Sequence, residues 1–301
     1  MKISIFFALL LAFGQLQAGE HPGQIQPQSR TQGQTSATLS QAGGEAWSGL
    51  DRKKLKLRSA SALIVDGSGN KIYSKQSQTP LPIGSITKLM TVMVILDAQL
   101  PLDEKIRITK QDRDLIRLTG SRLRYGATLS RGRLLELALM ASENRAASAL
   151  ARTYPGGSGR FIQAMNAKAR QLGMSDSRFT DAAGLDAGNV ASPEDLVKMV
   201  RAASEYPEIV QATTRLKLDV RPYPRLGPLT YGNTNRLLKN RAWEISLSKT
   251  GYINEAGRCL VMLARVNGRE LIFVLLNSFG KLTPFGDANR VRKWIERGVS
   301  G

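Results

Sequence analysis

Two residue types on which many enzyme mechanisms depend are almost absent from this chain of 301 residues. Cys259 is the only cysteine, so no internal disulfide forms, and its apolar neighbours predict a buried small hydrophobe. His21 is the only histidine, and it lies in a stretch with almost no large apolar side chains. Ser-His-Asp and Cys-His mechanisms are therefore excluded, and we expect no metal and no cofactor. If the chain is an enzyme, its base is another side chain.

Long apolar runs are also missing, since no later segment offers the roughly 20 apolar residues that a transmembrane helix needs. Residues 3–13 form one shorter apolar run, and Lys2 supplies a positive charge before it. This pattern predicts that residues 1–18 are an export signal, cleaved after Ala18 or after Gly14. An uncleaved anchor is the alternative. The mature chain is expected to be exported and soluble.

Acidic residues are outnumbered, with 24 Asp and Glu against 43 Lys and Arg and a formal net charge of +19. An excess of this size indicates an anionic partner, and export favours an anionic polymer or surface of the cell envelope over nucleic acid. Cations that serve only solubility are the other interpretation.

Composition also divides the chain into segments. Residues 19–57 are expected to be a flexible lead-in, because Gln, Gly, Ser and Ala dominate up to about residue 46 and leave little apolar surface to bury. Residues 58–301 are long enough for one sizeable core. We expect a sheet built from residues 58–100 and 240–301, with a helical part, residues 101–239, inserted between its halves.

Local patterns predict the elements of this domain. Apolar runs bounded by glycine-containing turns predict antiparallel strands at 61–66, 71–74, 243–248, 258–266 and 270–278. From Ser85 the chain is apolar on every side of a helical wheel, which indicates a central buried helix. Residues 103–213 show helical spacing with a start signal at Ser192 and Pro193, and the chain closes on a helix near 287–297.

Ser85 and Lys88 begin the central helix at a spacing that places both side chains on one face of its first turn. A serine hydroxyl is a poor nucleophile until a base removes its proton, and a lysine can be that base if its neutral form is favoured. Burial on an all-apolar helix is expected to lower the pKa of Lys88 in this way. The spacing alone is a weak signal, and a serine cap followed by a solvated lysine is the alternative.

Ser142, Glu143 and Asn144 lie between an amphipathic helix and an alanine-rich segment, so we expect them in an interhelical connection beside a cleft. A hydroxyl there can pass a proton to a leaving amine, and a carboxamide can bind a substrate amide. An ordinary polar loop is the alternative interpretation.

Lys249, Thr250 and Gly251 end a predicted strand. Alternation places Lys249 on the side expected to be buried, with Trp243, Ile245 and Leu247. A buried ammonium can anchor a substrate carboxylate, with the Thr250 hydroxyl helping and Gly251 letting a ligand approach the backbone. A strand end whose lysine reaches water is the alternative.

These groups resemble, in order and placement, the SxxK, SDN and KTG signature of penicillin-binding proteins and class A β-lactamases. The chain is most similar to the low-molecular-mass DD-peptidases, the type that includes the D-alanyl-D-alanine endopeptidases of Gram-negative bacteria. Glu143 stands where the signature has Asp. The resemblance covers roughly residues 58–297 and includes PIGSITKLMT, LMASENRAASALA, FTDAAGLD, YGNTNRLL, SLSKTGYINEAGRCLVM and TPFGDANR.

The resemblance implies a fold and a location. The fold is of the α/β (α+β) class, a β-lactamase/DD-peptidase transpeptidase-like fold with an antiparallel sheet flanked by helices and an inserted all-α subdomain. The implied location is the periplasm. The implied partners are the cross-linked peptides of peptidoglycan, with β-lactams as covalent inhibitors, no nucleic acid, and loose association with the envelope surface or other wall enzymes as a further option.

The resemblance also implies roles for the site residues. Ser85 is the expected nucleophile, Lys88 its general base and Ser142 the proton relay to the leaving group. The backbone N–H groups of Ser85 and Tyr252 are expected to form the oxyanion hole. The side chains expected to contact substrate are Asn144 for an amide group and Lys249 with Thr250 for a carboxylate, next to Gly251.

Within the family, no ExxLN stretch supplies the deacylating glutamate of a class A β-lactamase, so we expect a long-lived penicillin acyl-enzyme. Endopeptidase action is favoured by the resemblance and by a chain that stops about 50 residues after Lys249, without the β-rich domain of many carboxypeptidase relatives. Carboxypeptidase action stays open. A non-catalytic peptidoglycan-binding protein is the alternative of another class, although binding alone does not need a serine-lysine pair.

Overall fold

The structure, a computed structural model, describes residues 47–299. The predicted export signal, the first part of the lead-in and His21 lie outside the described residues. Within 47–299 no helix is long and apolar enough to cross a membrane.

Strands and helices follow one another in the described chain. The strands are β1 (Ser59–Asp66), β2 (Lys71–Lys75), β3 (Leu81–Pro82), β4 (Lys105–Arg107), β5 (Thr128–Ser130), β6 (Val190–Ala191), β7 (Lys217–Val220), β8 (Leu229–Gly232), β9 (Glu244–Ile253), β10 (Gly257–Val266) and β11 (Arg269–Ser278). The α-helices are α1 (Lys88–Asp97), α2 (Arg131–Met140), α3 (Asn144–Arg152), α4 (Gly157–Gln171), α5 (Pro193–Ser204), α6 (Pro207–Thr214) and α7 (Thr283–Val299).

One antiparallel sheet of five strands organises the fold, in the order β2-β1-β11-β10-β9. Its strands agree with those that the apolar runs predict. The pairing of β1 with β11, in which Ile64 lies opposite Phe273, joins strands that are about 200 residues apart in the chain. Both ends of the described chain therefore contribute to one sheet, and β9 is an edge strand with one side free for a site.

Each face of this sheet packs against a separate apolar layer. Alternation along β10 sends Val261 and Leu263 toward α1 and the inserted helices, and Leu260 and Met262 toward α7. Burial on both faces explains why these strands are continuous apolar runs rather than alternating ones.

The inserted part is mostly helical but not all-α as expected. Two short ribbons, β4 with β5 and β7 with β8, occur in it, and residues 108–127 contain no α-helix. A local hydrogen-bond network gives the reason, because the carboxylate of Asp114 accepts bonds from the backbone N–H groups of Ile116, Arg117 and Thr119. A side chain that binds nearby backbone donors in this way competes with helix formation.

Residues 47–57, which composition places in the flexible lead-in, pack against the sheet. Trp47, Leu50, Leu55 and Leu57 are buried in the layer on the α7 side. The Trp47 indole also donates a hydrogen bond of 2.8 Å to the Asp66 carboxylate. The expected boundary at residue 57 is thus too late, since four spaced apolar side chains suffice to anchor the segment.

Candidate active site

Ser85 and Lys88 meet at the entrance to the central helix. Ser85 belongs to a 3-10 turn, Gly84–Thr87, and Lys88 is the first residue of α1. Lys88 Nζ lies 2.7 Å from Ser85 Oγ. The expectation of a buried helix is correct, since eight of the ten α1 residues are buried. The structure thus brings together the pair that the spacing predicts.

The environment of Lys88 favours a neutral amine. Burial lowers its pKa to about 7, while the carboxylates of Asp181, Glu143 and Asp114 act in the opposite direction. Its Nζ lies 2.8 Å from the side-chain oxygen Oδ1 of Asn144 and 2.6 Å from the backbone oxygen of Ala183.

Those two oxygens determine where the lone pair of the amine points. A neutral lysine has two N–H donors and one lone pair, and Asn144 Oδ1 and the Ala183 carbonyl can only accept. With both N–H groups donated to them, the lone pair is left for the hydroxyl proton of Ser85. This is the arrangement that a general base requires.

Ser142 lies in the short connection between α2 and α3, with a left-handed φ of 58°. Its Oγ accepts a hydrogen bond of 2.9 Å from Nζ of Lys249 on β9. Glu143, which replaces the Asp of the signature, instead caps α3 through the Arg145 N–H and accepts a bond of 2.6 Å from Ser121 Oγ. The substituted residue therefore has a structural contact, and the flanking Ser142 and Asn144 reach the cleft.

Lys249 is buried on β9, on the face of Leu247 as alternation predicts, but not on the face of Trp243 and Ile245. The register with β10 shifts so that Leu247 pairs with Leu263 while Ile245 pairs with Ala264, and Ser246 is left as an extra residue. Such a β-bulge reverses the alternation, so Ile245 packs on the α7 side and Leu247 on the α1 side, with Lys249. Burial lowers the pKa of Lys249 well below its usual value, and the charge of Lys88 lowers it further.

The residues after Lys249 close the wall of the site. Thr250 Oγ1 donates a hydrogen bond of 2.7 Å to Thr234 Oγ1. A Cβ on Gly251 would lie 2.4 Å from the Ile83 carbonyl oxygen, so the space there is filled by the chain's own backbone. This corrects the expected reason for the glycine, which was ligand approach. The backbone nitrogen of Tyr252 lies close to Gly84, the residue before Ser85, because a Cβ on Gly84 would be only 2.9 Å from it.

Asn144 is oriented at both ends of its carboxamide. Its oxygen accepts from Lys88, and its nitrogen donates a bond of 2.9 Å to Thr119 Oγ1. One N–H of the amide is left for a substrate.

Asp181 and Ala183 belong to the site but were not found from the sequence. The Asp181 carboxylate accepts bonds of 2.6–3.0 Å from the backbone N–H groups of residues 183–186 and from the Asn189 amide. This loop presents the Ala183 carbonyl to Lys88. An Asp followed by small residues and Gly, as in DAAG, is a turn signal that would have indicated the loop, although not its partner.

A cleft of about 370 Å³ joins these residues. Ser85, Ser142, Asn144, Thr250 and Tyr252 line it. Cys259 also lines the cleft, but it is buried and burial raises the pKa of its thiol to about 12, so it is no nucleophile. A larger groove of about 580 Å³ beside α7 contains no serine-lysine pair. No cluster of potential metal ligands occurs within residues 47–299.

Comparison with known proteins decides the family. A family model described as D-alanyl-D-alanine carboxypeptidase matches residues 49–280. The protein belongs to this family. D-alanyl-D-alanine endopeptidases of Pseudomonas aeruginosa and Escherichia coli are each 46% identical to it over 245 residues, which is 81% of this chain and 79% of theirs.

Solved structures of similar proteins show the same fold. A DD-transpeptidase from Streptomyces superposes with a TM-score of 0.75 at 27% identity, covering 81% of this chain and all of that chain. A penicillin-binding protein from Listeria monocytogenes in its cefotaxime-bound form gives 0.71 at 26% identity, covering 81% and 99%. The expected fold class is confirmed, and the protein is a serine DD-peptidase.

Proposed function

We propose that this DD-peptidase is an endopeptidase that hydrolyses D-alanyl cross-links of peptidoglycan through an acyl-enzyme on Ser85. The observation that supports it most is the pairing of Lys88 Nζ with Ser85 Oγ at 2.7 Å, with the other two Nζ contacts made to carbonyl oxygens. The endopeptidase preference is supported by the relatives of 46% identity that carry that name.

In the proposed acylation, neutral Lys88 takes the hydroxyl proton as Ser85 Oγ bonds to the carbonyl carbon of a D-alanyl residue. The oxyanion is bound by the backbone N–H groups of Ser85 and Tyr252, each worth about 3–4 kcal/mol of transition-state stabilisation. The carbon–nitrogen bond then breaks as the proton on Lys88 passes through the Ser142 hydroxyl to the leaving amine, which leaves Lys88 neutral again. The Ser142 hydroxyl is hydrogen-bonded to Lys249. Water then bonds to the ester carbonyl carbon while Lys88 takes its proton, and Lys88 returns that proton to Ser85 Oγ as the carbon–oxygen bond breaks.

Substrate contacts follow the same geometry. The ammonium of Lys249 and the hydroxyl of Thr250 bind the carboxylate beside the leaving amine, and the free N–H of Asn144 binds a peptide carbonyl. A carboxylate next to Lys249 favours its charged form, so bound substrate restores the ammonium that burial disfavours.

The wider setting is part of this proposal. The enzyme acts outside the cytoplasm, in the periplasm, after export by the predicted signal. β-Lactams acylate Ser85 and stay bound, because no glutamate that could activate a deacylating water is among the described residues that line the cleft. The positive charge favours association with anionic wall or envelope surfaces.

The test uses purified cross-linked muropeptide dimers, with products identified by mass. Wild-type protein should convert dimers to monomers, and Ser85→Ala should not. Ser68→Ala is the matched control and should retain full activity. Ser68 lies in an exposed turn, three positions before Lys71 at the start of β2, and so has the same spacing to a lysine. Intact dimers with D-alanine released from pentapeptides would instead indicate a carboxypeptidase, the activity in the family's description. No Ser85-dependent product would favour a binding protein.

A further inference from the structure

Three cations line the catalytic cleft in addition to the residues of the proposed mechanism. They are Arg236, Arg258 and Lys281, which come from a 3-10 turn after β8, from β10, and from the turn between β11 and α7. Among the described residues that line the cleft, none is acidic. None of the three cations forms an ion pair with a residue in 47–299.

Arginines outside the cleft differ in this respect. Arg117 donates to the Glu255 carboxylate over 2.6 Å, and Arg152 donates to Asp112 over 2.8 Å. Like charges gathered in one cleft without counter-charges repel one another and raise the local concentration of anions. The protein thus leaves the cations of the cleft for a ligand.

Arg258 is also held in a geometry suited to a carboxylate. Its guanidinium lies 3.5 Å from the centre of the Tyr252 ring, and the Tyr252 hydroxyl donates a bond of 3.0 Å to Asn254. Stacking on a ring uses the face of the guanidinium and leaves its N–H edge available. That edge matches a carboxylate with two parallel hydrogen bonds.

We propose that Arg236, Arg258 and Lys281 form a second anionic subsite, which binds substrate carboxylates other than the one held by Lys249. This inference rests on the proposed endopeptidase function. Lys249 can account for one carboxylate, whereas two cross-linked stem peptides carry several more. The subsite therefore selects cross-linked peptides over a single stem.

The test compares neutral variants on two substrates. One substrate is a muropeptide dimer. The other is the same dimer in which every carboxylate is amidated except the one next to the scissile bond. The variants assayed on both are Arg236→Gln, Arg258→Gln, Lys281→Gln and their combination. Each single change should lower kcat/KM for the dimer about threefold, and the combination about tenfold or more, mainly through KM. On the amidated dimer the combined change should have less than a twofold effect. Lys53→Gln, an exposed cation outside the cleft, should change neither.

Equal losses on both dimers, or no loss on either, would overturn the subsite. A second readout separates this result from failure of the endopeptidase proposal, since uncleaved dimer can still compete with benzylpenicillin for acylation of Ser85. If the dimer is not cleaved but competes, and the combined variant weakens this competition about tenfold, the subsite stands and the endopeptidase assignment fails. If competition is equal in both proteins, the subsite is wrong. Circular dichroism of each variant verifies folding.

Discussion

Ser142 and Lys249, 107 positions apart in the chain, are joined by a hydrogen bond of 2.9 Å between Oγ and Nζ. Ser142 makes it from a left-handed backbone conformation that costs a non-glycine residue about 1–3 kcal/mol. The energy of this strain is balanced by the surrounding fold, because α2 and α3 hold the connection from both sides. The proposed activity therefore requires a serine hydroxyl at this position, whereas the backbone conformation favours glycine.

The backbone conformation of Ser142 predicts that two substitutions there differ in stability but not in activity. Ser142→Gly should be more stable than Ser142→Ala by about 1 kcal/mol, because glycine adopts φ of 58° without steric cost. Both variants should lose most acylation by benzylpenicillin, since neither has the hydroxyl. Urea unfolding and mass-detected acylation give the two values. Rapid acylation by either variant would rule out the relay role.

The pKa of Lys88 predicts the pH dependence of acylation. A base is reactive when deprotonated, so with a pKa of about 7 the acylation rate constant should fall about tenfold per pH unit below pH 7 and level off above it. Stopped-flow measurement with benzylpenicillin between pH 5 and 9 checks this. A rate constant that is flat through this range would exclude Lys88 as the base.

A substitution at Asp181 is expected to shift the pH dependence of acylation. Its carboxylate raises the pKa of Lys88, so Asp181→Asn should lower that pKa and shift the acid limb toward lower pH. The maximal rate should also fall, because the loop that presents Ala183 loses a charged acceptor of four backbone N–H groups. Asp176→Asn, on an exposed position of the same region, is the control. An unmoved limb would show that Asp181 acts only through loop structure.

Lys249 predicts uptake of protons when a carboxylate binds. Burial lowers its pKa, and a bound carboxylate raises it again, so binding at a pH between the lowered and the restored pKa should take up as much as one proton. Calorimetry of Ser85→Ala with a D-alanyl-D-alanine peptide, in buffers of different ionisation enthalpy, measures this number. The C-terminal amide of the same peptide should bind more weakly and take up none. Equal uptake with both peptides would contradict the assignment of Lys249.

At Gly184 the 181–188 loop packs directly against the backbone beside Ser85, so a side chain there should disturb the site. A Cβ there would lie 1.9 Å from the Gly84 carbonyl oxygen, and backbone cannot move aside as a side chain can. Gly184→Ala should cost about 1–3 kcal/mol of unfolding free energy and lower acylation more than tenfold. Gly173→Ala is the matched control, because it has a similar φ of +68° with open space around it. If the two variants behave alike, backbone strain and not contact with Gly84 is responsible.

The site could be predicted where its residues are close in the chain. Ser85 and Lys88 meet because helix geometry places positions three apart on one face. The strand runs and the turn before β2 were equally local signals. The prediction of helix for residues 108–127 was wrong because the Asp114 carboxylate accepts hydrogen bonds from the backbone N–H groups that a helix would use, and apolar spacing does not reveal this.

By itself the sequence determined the strands, the central helix and the serine-lysine pair, because these depend on covalent spacing and apolar periodicity. Only the tertiary structure decided that Asn144 and Ala183 accept hydrogen bonds from Lys88, since the three segments are distant in the chain. It also decided the face of Lys249, because one extra residue in β9 reverses alternation. Contacts between segments depend on sheet register and loop packing, which residue spacing does not specify.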